Sequence, residues 1–418
     1  MKLRSRAVVI AVVAVVLVLV AGAVFVYPAW SARQGQDARW VVANSATEVL
    51  DYDANRLLVT GGYEAWVLDR ATGDTKRSWF AGADSRAALV PGGVVISSDT
   101  GKLAVSMGGG GQDWQKDQAK EKYTLVAVRG NVVVAAVKLE DSMSLTGFAL
   151  ADGAQVWTIP NLYRVGFVDP ETEPMRPPGA LRTTTVIPVR DNDGWRLVAA
   201  ATGAVLTRTP DVPVVAGDVA VSATGVPCAD LTLIGAPNPT VTWPGGAPDA
   251  ECTPVWAIDD QRILLIAPRT GPKLVGGDQA MRLFSLALAT GRVTELDWRG
   301  AYVDLTTSWA AKDIARSWGR YLFTRGAVYD TTTGKPRWRT DAAWLAGDTA
   351  VTTAAVSGVD RLAPGVTGES REVRLADAAT GEPAGDSFVT GGPVDNAAVL
   401  DHGQALVFAG DEVALLSR

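Results

Sequence analysis

The chain has 418 residues, 47% hydrophobic and 20% charged, an ordinary balance for a protein that buries a real core. Its net charge of −6 is spread along the sequence with no basic stripe, so no nucleic acid is expected as a partner. Two or three average domains would fit this length, but repeat folds keep such lengths as one. Arg outnumbers Lys, and Ala, Val and Gly abound, the bias of a GC-rich bacterial genome.

Lys2, Arg4 and Arg6 precede an uninterrupted apolar run of 21 residues, 7–27. As a helix that run crosses a hydrocarbon core of roughly 30 Å. Lipid forces internal backbone hydrogen bonding and overrides the mediocre helix propensity of its valines. Tyr27 and Trp30 sit where interfacial aromatics belong, and Pro28 ends the span. The cations ahead of the run place residues 1–6 in the cytoplasm. The expected organisation is therefore a basic tail (1–6), a transmembrane signal-anchor (7–27), a juxtamembrane linker (28–39) and an extracytoplasmic domain (40–418). The lipid bilayer is one expected partner, and the expected location is the cell membrane, single-pass. A cleaved signal peptide competes with this reading, with Ala29-Trp30-Ser31 as a poor cleavage site, but its apolar core is normally about 7–15 residues. No cysteine lies near this end, which excludes a lipoprotein anchor.

Past Trp40 one phrase returns: an apolar strand, Asp or Ala, then Thr-Gly, then a second strand often closed by Trp. The clearest copy is Tyr329-Asp330-Thr331-Thr332-Thr333-Gly334-Lys335-Pro336-Arg337-Trp338. Others run from Asp69 to Gly73 with Trp79, through Asp152-Gly153 with Trp157, through Thr202-Gly203, through Thr290-Gly291 with Trp298, and from Asp377 to Gly381. The Asp side chain can accept from N–H groups of the turn, the Gly supplies a positive φ, and the Trp offers a flat surface for packing sheet on sheet. The glycines at 73, 153, 203, 291, 334 and 381 are spaced by 80, 50, 88, 43 and 47 residues. Each long gap holds a further strand pair, 94–97 with 103–106 and 219–222 with 231–234. Short strands at a period above about 40 residues signal propeller blades. Near the C-terminus the chain lacks a final Thr-Gly hairpin, and a strand at Trp40-Val41-Val42-Ala43 is expected to complete the last sheet and remove an open edge.

The phrase Tyr329-Asp330-x-x-Thr333-Gly334-Lys335-x-x-Trp338, with weaker copies over most of 46–418, resembles the pyrroloquinoline-quinone-like (PQQ-like) propeller repeat family. The resemblance implies seven or eight four-stranded antiparallel blades, whereas the strand pairs themselves count to eight or nine. It is specific for fold and poorly specific for function. A quinone-dependent dehydrogenase of this family would carry a calcium site and usually an adjacent-cysteine disulfide. Here Cys228 and Cys252 are 24 positions apart and no acidic constellation matches, so no cofactor is expected.

Cys228 and Cys252 are the only cysteines. Paired, they would close a proline-rich loop and contribute about 3 kcal/mol in the chain-entropy account, and an oxidising compartment would preserve the bond. The alternative is two unrelated buried thiols. His402, the one histidine, sits in Asp401-His402-Gly403, a polar turn between strands. Asp191-Asn192-Asp193-Gly194 opens like a calcium loop but lacks the distal Glu and reads as a hairpin. Gly108 to Gly111, continuing through Trp114 to Lys122, reads as a charged, Gly-rich loop, and 170–178 as a second polar excursion. No catalytic, cofactor-binding or metal residue is assigned. Two functional readings remain. One is a non-catalytic interaction platform for an envelope protein partner; the other is an enzyme or small-ligand sensor with a site in the central channel. Inward carboxylates with room for a ligand would favour the second, and a plugged channel the first.

Overall fold

The computed structural model describes residues 38–82, 85–108, 113–140, 142–166, 177–210, 213–222, 226–269, 280–301, 317–324, 326–355, 371–390 and 393–418. The apolar run 7–27, with its basic tail and most of its linker, lies outside these residues, as do Gly109 to Gln112 and most of 170–178. Among the described residues no helix is long and apolar enough to cross a membrane.

The strands form nine sheets, arranged as successive blades. Blade 1 is typical, with strands Glu48–Tyr52, Arg56–Gly61, Glu64–Asp69 and Thr75–Phe80 running from inside to outside in chain order. The innermost strand is partly buried, the two middle strands are largely buried, and the outermost is exposed along most of its length. The middle strands read as apolar runs rather than alternating ones because both of their faces are covered. In the second strand Leu57 and Val59 pack with blade 9, while Leu58 between them packs with blade 2. All three are fully buried. Each such Leu contributes about 2 kcal/mol of apolar burial.

The same alternation repeats around the ring. Nine apolar clusters lie between neighbouring blades, one per interface, from blades 1 and 2 round to blades 9 and 1. The described residues therefore make nine blades, which corrects the expectation of seven or eight. The two long gaps between Thr-Gly glycines each contain a true blade, 2 and 5, whose third turn lacks the phrase. A repeat count taken from one turn undercounts wherever that turn has diverged.

Closure follows the expected route. Trp40–Ala43 pairs antiparallel with Glu412–Ser417 and becomes the outermost strand of blade 9, with Trp40 opposite Leu415. Both termini of the propeller thus share one sheet.

Two blades are irregular. Blade 5 has three strands, Pro213–Ala216, Val219–Ser222 and Leu233–Ile234, and Thr242 bridges to Arg292 in the outermost strand of blade 6. There Cys228, in the loop between the second and third strands of blade 5, forms a disulfide with Cys252 in the blade 6 strand Glu251–Asp259, and both are fully buried. Blade 7 has Tyr321–Thr324, Ala327–Asp330 and Pro336–Arg339, while the preceding strand Ser317–Trp318 pairs in parallel with Ala343–Ala346, innermost in blade 8.

The described first and third turns of the blades lie on one side of the ring, here the Thr-Gly face. The described second turns and connections between blades lie on the other, the connection face.

Candidate functional site: the axial channel

The repeat phrase occupies third turns. Gly73, Gly153, Gly203, Gly291, Gly334 and Gly381 have φ between 66° and 79°, and the N–H groups of Gly73, Gly334 and Gly381 donate to Asp69, Asp330 and Asp377 carbonyls at 2.8 Å. Asp69, Asp330 and Asp377 also accept turn N–H groups through their side chains, from Thr72, Thr332 and Thr380 at 3.0–3.1 Å. Asp152 sits one residue before its glycine and accepts from Ala154.

A second constraint falls on these glycines. A Cβ on Gly73, Gly153, Gly203 or Gly381 would lie 2.6–2.8 Å from an indole carbon of Trp40, Trp114, Trp157 or Trp338, each on the outermost strand of the preceding blade. Trp40, Trp114 and Trp338 also donate Nε1–H to the carbonyls of Arg70, Leu150 and Ala378 at 3.1, 2.8 and 2.9 Å. At Gly291 and Gly334 the close neighbours are instead the carbonyls of Thr240 and Glu295. Trp298 is buried between blades 6 and 7, and Trp79 is packed between blades 1 and 2. Trp114 is a correction: it opens the outermost strand of blade 2, Trp114–Lys116, rather than a loop. Three residues flanked by charges carry too little alternation to show a strand, and only its docking partner one blade later reveals the role.

Asp330 has a further task. Its buried carboxylate accepts from Arg320 (2.8 Å), Arg337 (2.8 Å) and Thr332. Burial alone would raise its pKa, but these bonds outweigh burial and hold it far below the carboxylate range.

On one side the channel is plugged. Residues 177–184, between the first two strands of blade 4, cross the axis, and their single helical turn Ala180–Thr183 packs on the innermost strands of blades 2 and 3. Gly179 begins that turn at φ 81° and donates to Leu50 O at 3.0 Å. Arg182 then reaches across to Asp51 on blade 1, at 2.7 and 3.0 Å. Asp51 is fully buried and also accepts the N–H of Leu89 at 2.7 Å. Burial still pushes its carboxyl above the usual range, although Arg182 opposes this.

On the other side a cavity of about 460 Å³ remains, bounded by blades 6, 8, 9 and 1 and by Pro177, Pro178 and Thr183 of the plug. Among the described residues four carboxylates line it, Glu48, Asp260, Asp348 and Asp401, with Tyr52, Trp256, Trp318 and Trp344. Asp401 pairs with Arg70, whose guanidinium lies 5.5 Å from the Tyr52 ring centre. Asp348 is approached by Arg418 at 3.4 Å. Glu48 and Asp260 have no such partner among the described residues. Burial pushes Glu48 up, and burial followed by the charges of Asp259 and Asp218 pushes Asp260 up. Tyr52 is raised by burial and then by Asp401. Asp401–Gly403 is a single 3₁₀ turn at the Thr-Gly face, and Asp191 and Gly194 pair across a tight hairpin remote from this cavity.

No family model and no curated protein matches the chain. Among solved structures it is similar to BamB from Moraxella catarrhalis, at 13% identity and a TM-score of 0.43 over 91% of this chain and 96% of that one. It is also similar to quinohemoprotein alcohol dehydrogenase ADHIIG from Pseudomonas putida HK5, at 11% identity and 0.40 over 91% and 76%. A third likeness is to Sqt1 from Saccharomyces cerevisiae, at 11% and 0.40 over 91% and 96%. These scores are low, and the propeller assignment rests on the sheet pairings and inter-blade cores described above.

Proposed function

We propose that the chain is a membrane-tethered, extracytoplasmic propeller that serves as a non-catalytic protein-interaction platform in the bacterial cell envelope. The observation that carries this reading is the path of the N-terminus. Trp40 starts its strand on the Thr-Gly face, docked on the third turn of blade 1. An anchor at 7–27, joined by a linker that spans at most about 40 Å, would hold that face toward the bilayer. The connection face would then point away. It carries Tyr63 and Phe80, 62% and 76% exposed, with stacked rings 6.2 Å apart. Exposed aromatics of this kind are over-represented at protein interfaces. The buried disulfide is consistent with an oxidising compartment.

Two probes in intact cells test the proposal. A Tyr63→Cys variant should react with a membrane-impermeant maleimide without lysis. A photo-crosslinker at residue 63 should give a discrete protein adduct that Phe80→Ser abolishes, while one at Asn55, on the Thr-Gly face, should not. Labelling only after lysis overturns the topology, and no adduct from the connection face overturns the platform.

A second reading, a small-ligand sensor at the axis, is favoured by the cavity beside the plug.

A further inference from the structure

We propose that the axial cavity binds an organic ammonium cation, whose charge is met by the carboxylates that line it, Glu48 foremost, and whose apolar surface is met by the rings of Tyr52, Trp256 and Trp318. The inference rests on the second reading above, that the axis holds a small ligand.

Size comes first. A volume of about 460 Å³ lies within the range of small-molecule sites. Charge decides the sign of the ligand. Among the described residues, all four ionised groups that line the cavity are acidic. Arg70 and Arg418 answer two of them, Asp401 and Asp348. Of the remaining two, Glu48 is the half-buried one, and burial disfavours its anion, while Asp260 is exposed at the cavity's edge beside the like charges of Asp259 and Asp218. An anionic ligand would add like charge to a site already short of cations, whereas a cation would repay the lost hydration. The plug strengthens the asymmetry. Among the described residues its one cation, Arg182, is turned away toward Asp51 and the Tyr52 carbonyl, so the described plug offers the cavity only Pro177, Pro178 and Thr183.

Aromatic walls decide the kind of cation. Among the described residues no three acidic, His or Cys side chains converge as a metal ion requires. Tryptophan and tyrosine faces instead attract large, weakly hydrated cations through their ring quadrupoles, and quaternary or alkylated ammonium groups are the class such walls suit. Trp344 stays outside this role, because it is buried and its Nε1–H is held by Asn396 at 3.1 Å.

The test uses the full chain in detergent micelles and isothermal titration with four probes. These are choline, butylammonium, the neutral choline isostere 3,3-dimethylbutan-1-ol and the anion 3,3-dimethylbutanoate. Binding by one or both cations, with the neutral isostere at least about tenfold weaker, is the expected result. Glu48→Gln and Trp256→Leu should each weaken cation binding about tenfold. Each variant's unliganded melting temperature reports whether it is folded. Equal or tighter binding of the neutral or anionic probe, lost in Trp256→Leu, would overturn the cation assignment and leave the small-ligand reading standing. No heat with any of the four probes would overturn both. Cation binding unaffected by both variants would place the ligand elsewhere and overturn the site.

Discussion

The docking of a tryptophan on the next blade's glycine makes a quantitative prediction at Gly153. Replacing it by alanine has two separable costs. The backbone term arises because Gly153 has φ 70°, where an L residue loses about 1 kcal/mol. The contact term arises because the new Cβ would lie 2.8 Å from Trp114 Cδ2. That ring is 9% exposed, and displacing it costs about 1–3 kcal/mol in overpacking and about 1 kcal/mol for the Nε1–H bond to Leu150. Gly153→Ala should therefore lose about 3–5 kcal/mol. Gly130 supplies the control, with φ 58° and nothing within 4 Å of its added Cβ, so Gly130→Ala should lose only about 1 kcal/mol. Urea unfolding of both variants, alone and in a Trp114→Ala background, gives the comparison. In that background the Gly153→Ala cost should fall to the Gly130→Ala level. Equal losses at the two glycines in the native background would refute the docking argument, as would a Gly153→Ala cost indifferent to Trp114.

Four further outcomes follow from other sites. Arg182→Ala should destabilise by about 3 kcal/mol because it strands buried Asp51, and adding Asp51→Asn should recover part of that loss in urea titrations. Asp330→Asn should cost about 2 kcal/mol at neutral pH. Because the folded-state pKa of Asp330 is depressed, its contribution is complete above the ordinary carboxylate range and is lost only in strong acid, so the difference from wild type should shrink there. Glu48 has the opposite sign: its folded pKa is raised, so its ionisation penalises the fold above that pKa and not below the unfolded value. Glu48→Gln should raise the melting temperature at neutral pH, and the gain should vanish as pH falls below the carboxylate range. Replacing Cys228 and Cys252 together by Ser should lower unfolding free energy by about 3 kcal/mol, and reductant should then have no additional effect.

The legible parts of this protein are local. The Asp to Thr-Gly turns show in the sequence because a positive φ and side-chain acceptance of turn N–H groups select residue types within five positions. The closing strand at Trp40–Ala43 was legible because the C-terminal repeat is one hairpin short. Trp114 was not legible, since its short strand gains meaning from Gly153 and Leu150 in the next blade. Nor were Arg182 and Asp51, which are 131 positions apart and meet only because the plug crosses the axis.

By itself the sequence determined an all-β repeat of short strands joined by an Asp to Thr-Gly turn, since turn chemistry and strand patterning act over a few residues. Tertiary structure decided that the blades number nine rather than eight, that four tryptophans dock on the glycine turn of the next blade, and that one side of the axis is plugged while the other holds an acidic, aromatic cavity. Those features depend on how blades pack around a closed ring, a sum over all interfaces that no single repeat encodes.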